Sequence, residues 1–186
     1  MANTPTTGPI SDFPTIGEPR TATDPHGLGQ LGRKIIGEDF EATLVRANAA
    51  AGIPDGAIVG LTSALAGGAG GHDVEPLTIA IVTALSASDR EALKMGFWQG
   101  LATDNQVGWM VTKLTNSAAA DLQALAGAAI TAGAQAAVSA TAGEIVTSAT
   151  GNYDIIGFSV VVDPGGGNVF STWSCDDLRL NPTINP

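Results

Sequence analysis

Apolar positions in this 186-residue chain fall into short runs broken by glycine-rich turns, and their period is mostly two. Residues 57–61 (Ala-Ile-Val-Gly-Leu) follow the turn signal Pro54-Asp55-Gly56 and predict a strand. The β-branched run at 77–82 predicts another, with a flexible glycine loop, Gly67 to Gly71, between the two. Ser88-Asp89-Arg90-Glu91 has the spacing of a capping box and predicts a short helix over 90–95. Residues 96–101 and 108–112 read as strands. The alanine-rich stretch 118–129 favours helix by propensity, with Ser117 as its cap. In the last third, strands are predicted at 134–140, 144–148, 155–162, 170–175 and 177–180. Ile145 and Thr147 are expected on one face of the second of these. Thr141-Ala142-Gly143, Thr150-Gly151-Asn152 and the segment Asp163 to Asn168 supply turns. The pattern predicts a mainly β fold: a small antiparallel β-barrel or sandwich with one or two short helices and an extended N-terminal arm.

The arm is set apart by its prolines. Pro5, Pro9, Pro14, Pro19 and Pro25 disfavour interior helix and bias their neighbours toward extended backbone. Ile10, Phe13 and Ile16 recur within it, and a purely solvating tail has no need of them. They are the expected anchors of an arm that orders on a neighbouring subunit. Residues 1–46 hold four bases and six acids, whereas 47–186 hold four bases and twelve acids. The division therefore places an arm and lead-in over 1–46 and a β-rich body over 47–186.

Charge narrows the function. The net charge is −10, so no basic stripe for phosphates is expected and nucleic acid is not an expected partner. No apolar run approaches the roughly 18–20 residues of a membrane-spanning helix. The first residues show neither a basic region nor an apolar region of a signal peptide. Cys175 is the single cysteine, which removes an intrachain disulfide and a cysteine zinc site.

Candidate chemistry is sparse. His26 and His72 are the two histidines. His72-Asp73-Val74-Glu75 gathers three polar ligand types, but a catalytic zinc needs well-separated, supported ligands. Gly67 to Gly71 is followed by no Lys-Ser or Lys-Thr and is not a phosphate loop. No Gly-x-Ser-x-Gly elbow occurs. No catalytic residue, cofactor or metal is expected. Trp98, Trp109 and Trp173, with Phe97, Phe158 and Phe170, are the bulky core candidates, and Cys175 is expected to be buried. Asp176-Asp177 reads as a solvated edge that discourages stray strand pairing.

Toward the C-terminus the chain shows Ile130-Thr131-Ala132-Gly133, Ala142-Gly143-Glu144-Ile145-Val146-Thr147, Ala149-Thr150-Gly151-Asn152, Ile155-Ile156-Gly157-Phe158 and Asp177-Leu178-Arg179-Leu180-Asn181. This succession resembles a family of tailed-bacteriophage head decoration (cement) proteins, with Leu178 where that pattern has valine. The resemblance implies an acidic β-domain on the outside of a phage capsid. The expected role is then a virion structural protein that stabilises the head lattice. Its partner would be the major capsid protein, with self-association (a trimer among the arrangements) on the capsid surface, after synthesis in the host cytoplasm. Ile10, Phe13 and Ile16 would anchor the arm, and Arg20, Arg33 and Lys34 would meet acidic capsid groups. The rival readings are another phage structural or carbohydrate-binding module, such as a head-fibre base or tail component, and a hydrolase using His72 with Asp73 or Glu75.

Overall fold

In the computed structural model, residues 16–21, 31–62, 71–115, 122–160, 169–170 and 173–186 are described, the pair 169–170 by backbone only. In chain order they form β1 (Arg20–Thr21), β2 (Lys34–Ile36), β3 (Phe40–Ala47), β4 (Ile58–Leu61) and β5 (Asp73–Pro76). Helices α1 (Ile79–Ala84) and α2 (Ala87–Ala92) follow, then β6 (Met95–Trp98), β7 (Gln106–Leu114) and β8 (Ala124–Leu125). The rest are β9 (Ala136–Val138), β10 (Ile145–Thr147), β11 (Ile155–Val160), β12 (Val169–Phe170) and β13 (Trp173–Leu180). The protein is mainly β, as its pattern predicts.

Five strands close on themselves. β7 pairs with β6, β6 with β4, β4 with β5, β5 with β3, and β3 returns to β7. All these pairings are antiparallel except β3–β5, which is parallel. The ring is a small barrel. β13 continues the sheet from β7 through Cys175↔Leu114, and β11 pairs with β13. β2 adds to β3, and β1 lies along the start of β7 with Arg20 opposite Val107.

Strand alternation gives the ring two apolar faces. Val45, Ala47, Val59, Val74, Trp98 and Met110 pack inside, with Ile53, Ala57 and Ala102. The alternate residues Leu44, Ile58, Phe97, Trp109 and Val111 face outward into a second core. There they meet Leu77, Val82 and Leu93 from the helical corner and Ile145, Ile155, Trp173 and Leu180 from the C-terminal strands. Phe97 stacks at 4.6 Å from Trp173 and 5.3 Å from Phe158, between ring centroids. All three tryptophans and Cys175 are buried, as expected. Burial pushes the Cys175 thiol pKa upward, with the Asp176 charge adding to it. Asp176 and Asp177 are exposed.

Several elements differ from the sequence reading. The run at 77–82 is not a strand; it leads into α1. Thr78 takes extended backbone and its Oγ1 accepts from the Ile81 N–H at 3.2 Å, so a cap outweighs β-branching here. The strand of this region is β5, just upstream. The next helix is capped by Ser86 rather than Ser88. Ser86 Oγ accepts from the Asp89 N–H at 3.2 Å and donates to Asp89 Oδ2 at 2.6 Å. The helix therefore starts and ends earlier than 90–95, leaving Met95 free to begin β6. In 118–129, residues 122–129 are not helical, and β8 pairs with β12 instead. Tertiary pairing overrides propensity there: Leu125 N–H donates to the Gly56 carbonyl at 2.7 Å. Ile145 is buried while Thr147 is exposed, because β10 is a short strand whose end runs out of the core. The barrel is not wholly antiparallel, since β3 and β5 run side by side. The division at residue 46 falls within β3, a barrel strand, because pairing with β7 begins at Phe40. Ile10, Phe13, His26, the loop over 63–70, the part of the helix over 118–121, the turn over 163–168 and the Phe170 side chain lie outside the described residues.

Candidate functional site

The two ends of the barrel are built differently, and the difference defines the site. At one end the interior is filled by Trp98. Its indole N–H donates to the Gly100 carbonyl at 2.6 Å. Gly108 has no side chain because none fits: a Cβ there would lie 2.7 Å from the Trp98 ring. Ile53 and Ala102 bridge across this end.

At the other end the interior positions are Thr43, Leu61, Met110 and Thr112, and they open into a cavity of about 570 Å³. That volume falls within the roughly 300–1,000 Å³ typical of ligand pockets, for which barrel mouths are a favoured place. Leu61, Leu93, Met95, Met110 and Leu178 give the lining its apolar part. Lys34, Lys94, Arg179 and His72 also line it, with Glu91 and Asp177 as the acids. Three of the eight lysines and arginines in a strongly acidic chain thus gather at one opening. Lys34 reaches Glu41 at 3.9 Å and Arg179 reaches Asp177 at 3.9 Å, both exposed and weak pairs. Lys94 is exposed and has no side-chain partner among the described residues.

Local structure sets each wall. Lys94 sits between the end of α2 and the start of β6. The C-terminal end of α1 is fixed by Arg90, which donates to the Val82 carbonyl at 3.2 Å and also to Leu85 O. The same guanidinium lies 4.3 Å over the Tyr153 ring. His72 is held against Gly32. Gly32 has φ +85°, and any Cβ there would collide with the imidazole. Beside the rim, Arg46 forms a bidentate pair with Asp73 at 2.8 and 2.7 Å, across the parallel β3–β5 contact that closes the ring. Those hydrogen bonds hold the Arg46 guanidinium above its ordinary pKa.

The His72-Asp73-Glu75 cluster does not come together as a reacting unit. Asp73 is engaged by Arg46, and His72 lines the cavity. Glu75 is half-buried on the outer face of β5, and loss of hydration raises its carboxyl pKa. Among the described residues, no group of three His, Cys, Asp or Glu is arranged to hold a metal. Ile16 packs against the outer core of its own chain. Arg20 is exposed in β1, 3.8 Å from Glu18. Arg33 is exposed, and its carbonyl accepts from Leu44 N–H at 2.8 Å. Lys34 lies at the cavity. The structure thus brings Lys34 and not Arg20 to the mouth.

Sequence reasoning missed Thr43, Leu61, Lys94, Met110, Thr112 and Arg179 as neighbours. They come from four strands and the corner between α2 and β6, and tertiary pairing alone unites them. One local signal existed: Lys94 is a single exposed cation directly before the buried run Met95-Gly96-Phe97-Trp98. The cavity has an apolar floor with exposed cations at its edge. No family model matches this chain, and no curated protein or solved structure matches it.

Proposed function

We propose that this protein is a virion structural protein that binds the outer surface of a phage capsid and stabilises the head lattice as a decoration or cement protein. The observation that carries the reading is the fixed root of the N-terminal arm. Ile16 packs on the core, Gly17 lies against Gly100, and β1 pairs with β7. Fifteen residues precede this root, with Ile10 and Phe13 among them. Fully extended, they span about 50 Å. That length crosses a subunit boundary while the barrel stays folded behind it. Arg20, exposed in β1 beside the root, and exposed Arg33 suit acidic groups on a lattice, where rim charges add specificity and on-rate.

The rival carbohydrate reading needs an exposed aromatic platform, and all three tryptophans are inside. Co-sedimentation with candidate capsids tests the proposal. The full chain should saturate at a fixed number of copies per capsid hexamer. Removing residues 1–15 should weaken binding severely while leaving a folded barrel, because the root begins at Ile16. Equal binding by the shortened chain would sink the arm, and no binding of the full chain to any mature head would sink the decoration role.

A further inference from the structure

We propose that the cavity at the barrel mouth receives residues 10–13 of a second copy of this chain. Ile10 and Phe13 fill its apolar floor and Asp12 meets the Lys94 ammonium. The inference rests on reading residues 1–15 as an arm, and it names the surface that the arm grips.

The first argument is chemical. The segment Ile10-Ser11-Asp12-Phe13 carries two apolar anchors around one carboxylate. The charged side chains of residues 1–19 are both acids, Asp12 and Glu18. The mouth offers Leu61, Met95, Met110 and Leu178 below, and Lys94, Lys34 and Arg179 at its edge beside the acids Glu91 and Asp177. Lys94 is the cation of this set without a partner among the described residues.

The second argument is reach. The root of the arm is tied at the wrong end of its own barrel, where Gly17 lies against Gly100. Phe13 is four residues from Gly17 and extends at most about 14 Å from it. Lys94 is six residues from Gly100 along the β6 segment, about 20 Å of extended chain. To reach its own mouth the chain's Phe13 would need an arm fully stretched along the barrel wall, whereas a neighbour's arm is not so tethered. An arm-into-mouth contact is heterologous, so it closes into a ring at a fixed copy number or propagates along the lattice.

The test uses the natural full-length chain and a zero-length carbodiimide, which joins a carboxylate to an amine with loss of water. A mixture of ¹⁵N-labelled and unlabelled protein is cross-linked and digested, and the Asp12–Lys94 linked peptide is sought by mass spectrometry. The expected result is that peptide in mixed-isotope form, with self-association of the free protein by light scattering. Lys94→Glu should weaken self-association about tenfold, and Asp12→Lys combined with Lys94→Glu should restore it. An Asp12–Lys94 link found without isotope mixing would assign the cavity to the chain's own arm and overturn the proposal. Absence of the link, or self-association indifferent to Lys94→Glu, would overturn it as well. Capsid co-sedimentation separates the two readings. Mixed-isotope links without capsid binding would remove the decoration role and keep the docking. Capsid binding that needs residues 1–15 but yields no link would do the reverse.

Discussion

The closed end and the mouth of the barrel are made by the same five strands, only a few residues apart along each. From exposed Lys94, just before β6, the chain passes to buried Trp98, and on β7 it runs from half-buried Thr112 to Gly108. At the closed end one indole fills the ring, and a glycine opposite makes room for it. At the mouth, threonines and a half-buried leucine occupy the equivalent positions, with lysines at the edge, and a cavity results. Stability is concentrated where side chains are large and matched. The open cavity falls where they are small or charged.

The largest effect should come from removing the plug. Trp98→Ala should cost about 3–5 kcal/mol, since it deletes a fully buried aromatic and leaves a cavity. Denaturant unfolding measures it, and a loss comparable to that of Thr112→Ala would erase the distinction between the ends. Filling the same end is expected to hurt less. Gly108→Ala places a methyl 2.7 Å from the Trp98 ring and should cost about 1–3 kcal/mol.

Closure of the ring ranks next. Asp73→Asn removes the charge from the bidentate contact to Arg46 and should cost about 2 kcal/mol by thermal or chemical unfolding. Unchanged stability would mean that the β3–β5 contact stands without the pair. At the mouth, Lys94→Glu should leave stability within about 0.5 kcal/mol of the natural chain. Its effect is expected on self-association instead, so a large loss of folding stability would break the division of labour.

Glu75, away from both ends on the outer face of β5, gives the smallest signal. Its carboxyl pKa is raised in the folded state, so its contribution to stability grows as pH falls through that raised value and is lost at higher pH. Glu75→Gln should therefore stabilise the protein slightly near neutrality and remove that part of the acid-side gain. A variant with an unchanged pH profile would show that burial of Glu75 has no energetic weight.

The elements that were legible in the sequence are those whose own composition and flanking turns mark them, however far away their partners lie. Residues 57–61 and 108–112 announce strands by composition, the strand expected at 96–101 is found at Met95–Trp98, and Gly143 and Gly151 sit in their expected turns with φ +78° and +88°. The burial of Trp98, Trp109, Trp173 and Cys175 follows from their chemistry, given how few large apolar residues the chain has. The misread elements were decided by competition. Thr78 and Ser86 each satisfy a helix N-terminus with one hydroxyl, which outweighs the strand propensity after one and the better-spaced motif at Ser88 after the other. The alanines at 122–129 follow their partners, not their propensity.

By itself, the sequence determined a light, acidic, mainly β protein with a proline-rich N-terminal segment. Those properties follow from composition and from alternation at period two, which are local. Only the tertiary structure decided that β3 runs beside β5, that the ring closes, and that Lys34, Lys94 and Arg179 meet at one opening. Pairing across 27 residues, as between Arg46 and Asp73, leaves no local trace in either strand, because each alternates in the same way whichever neighbour it takes.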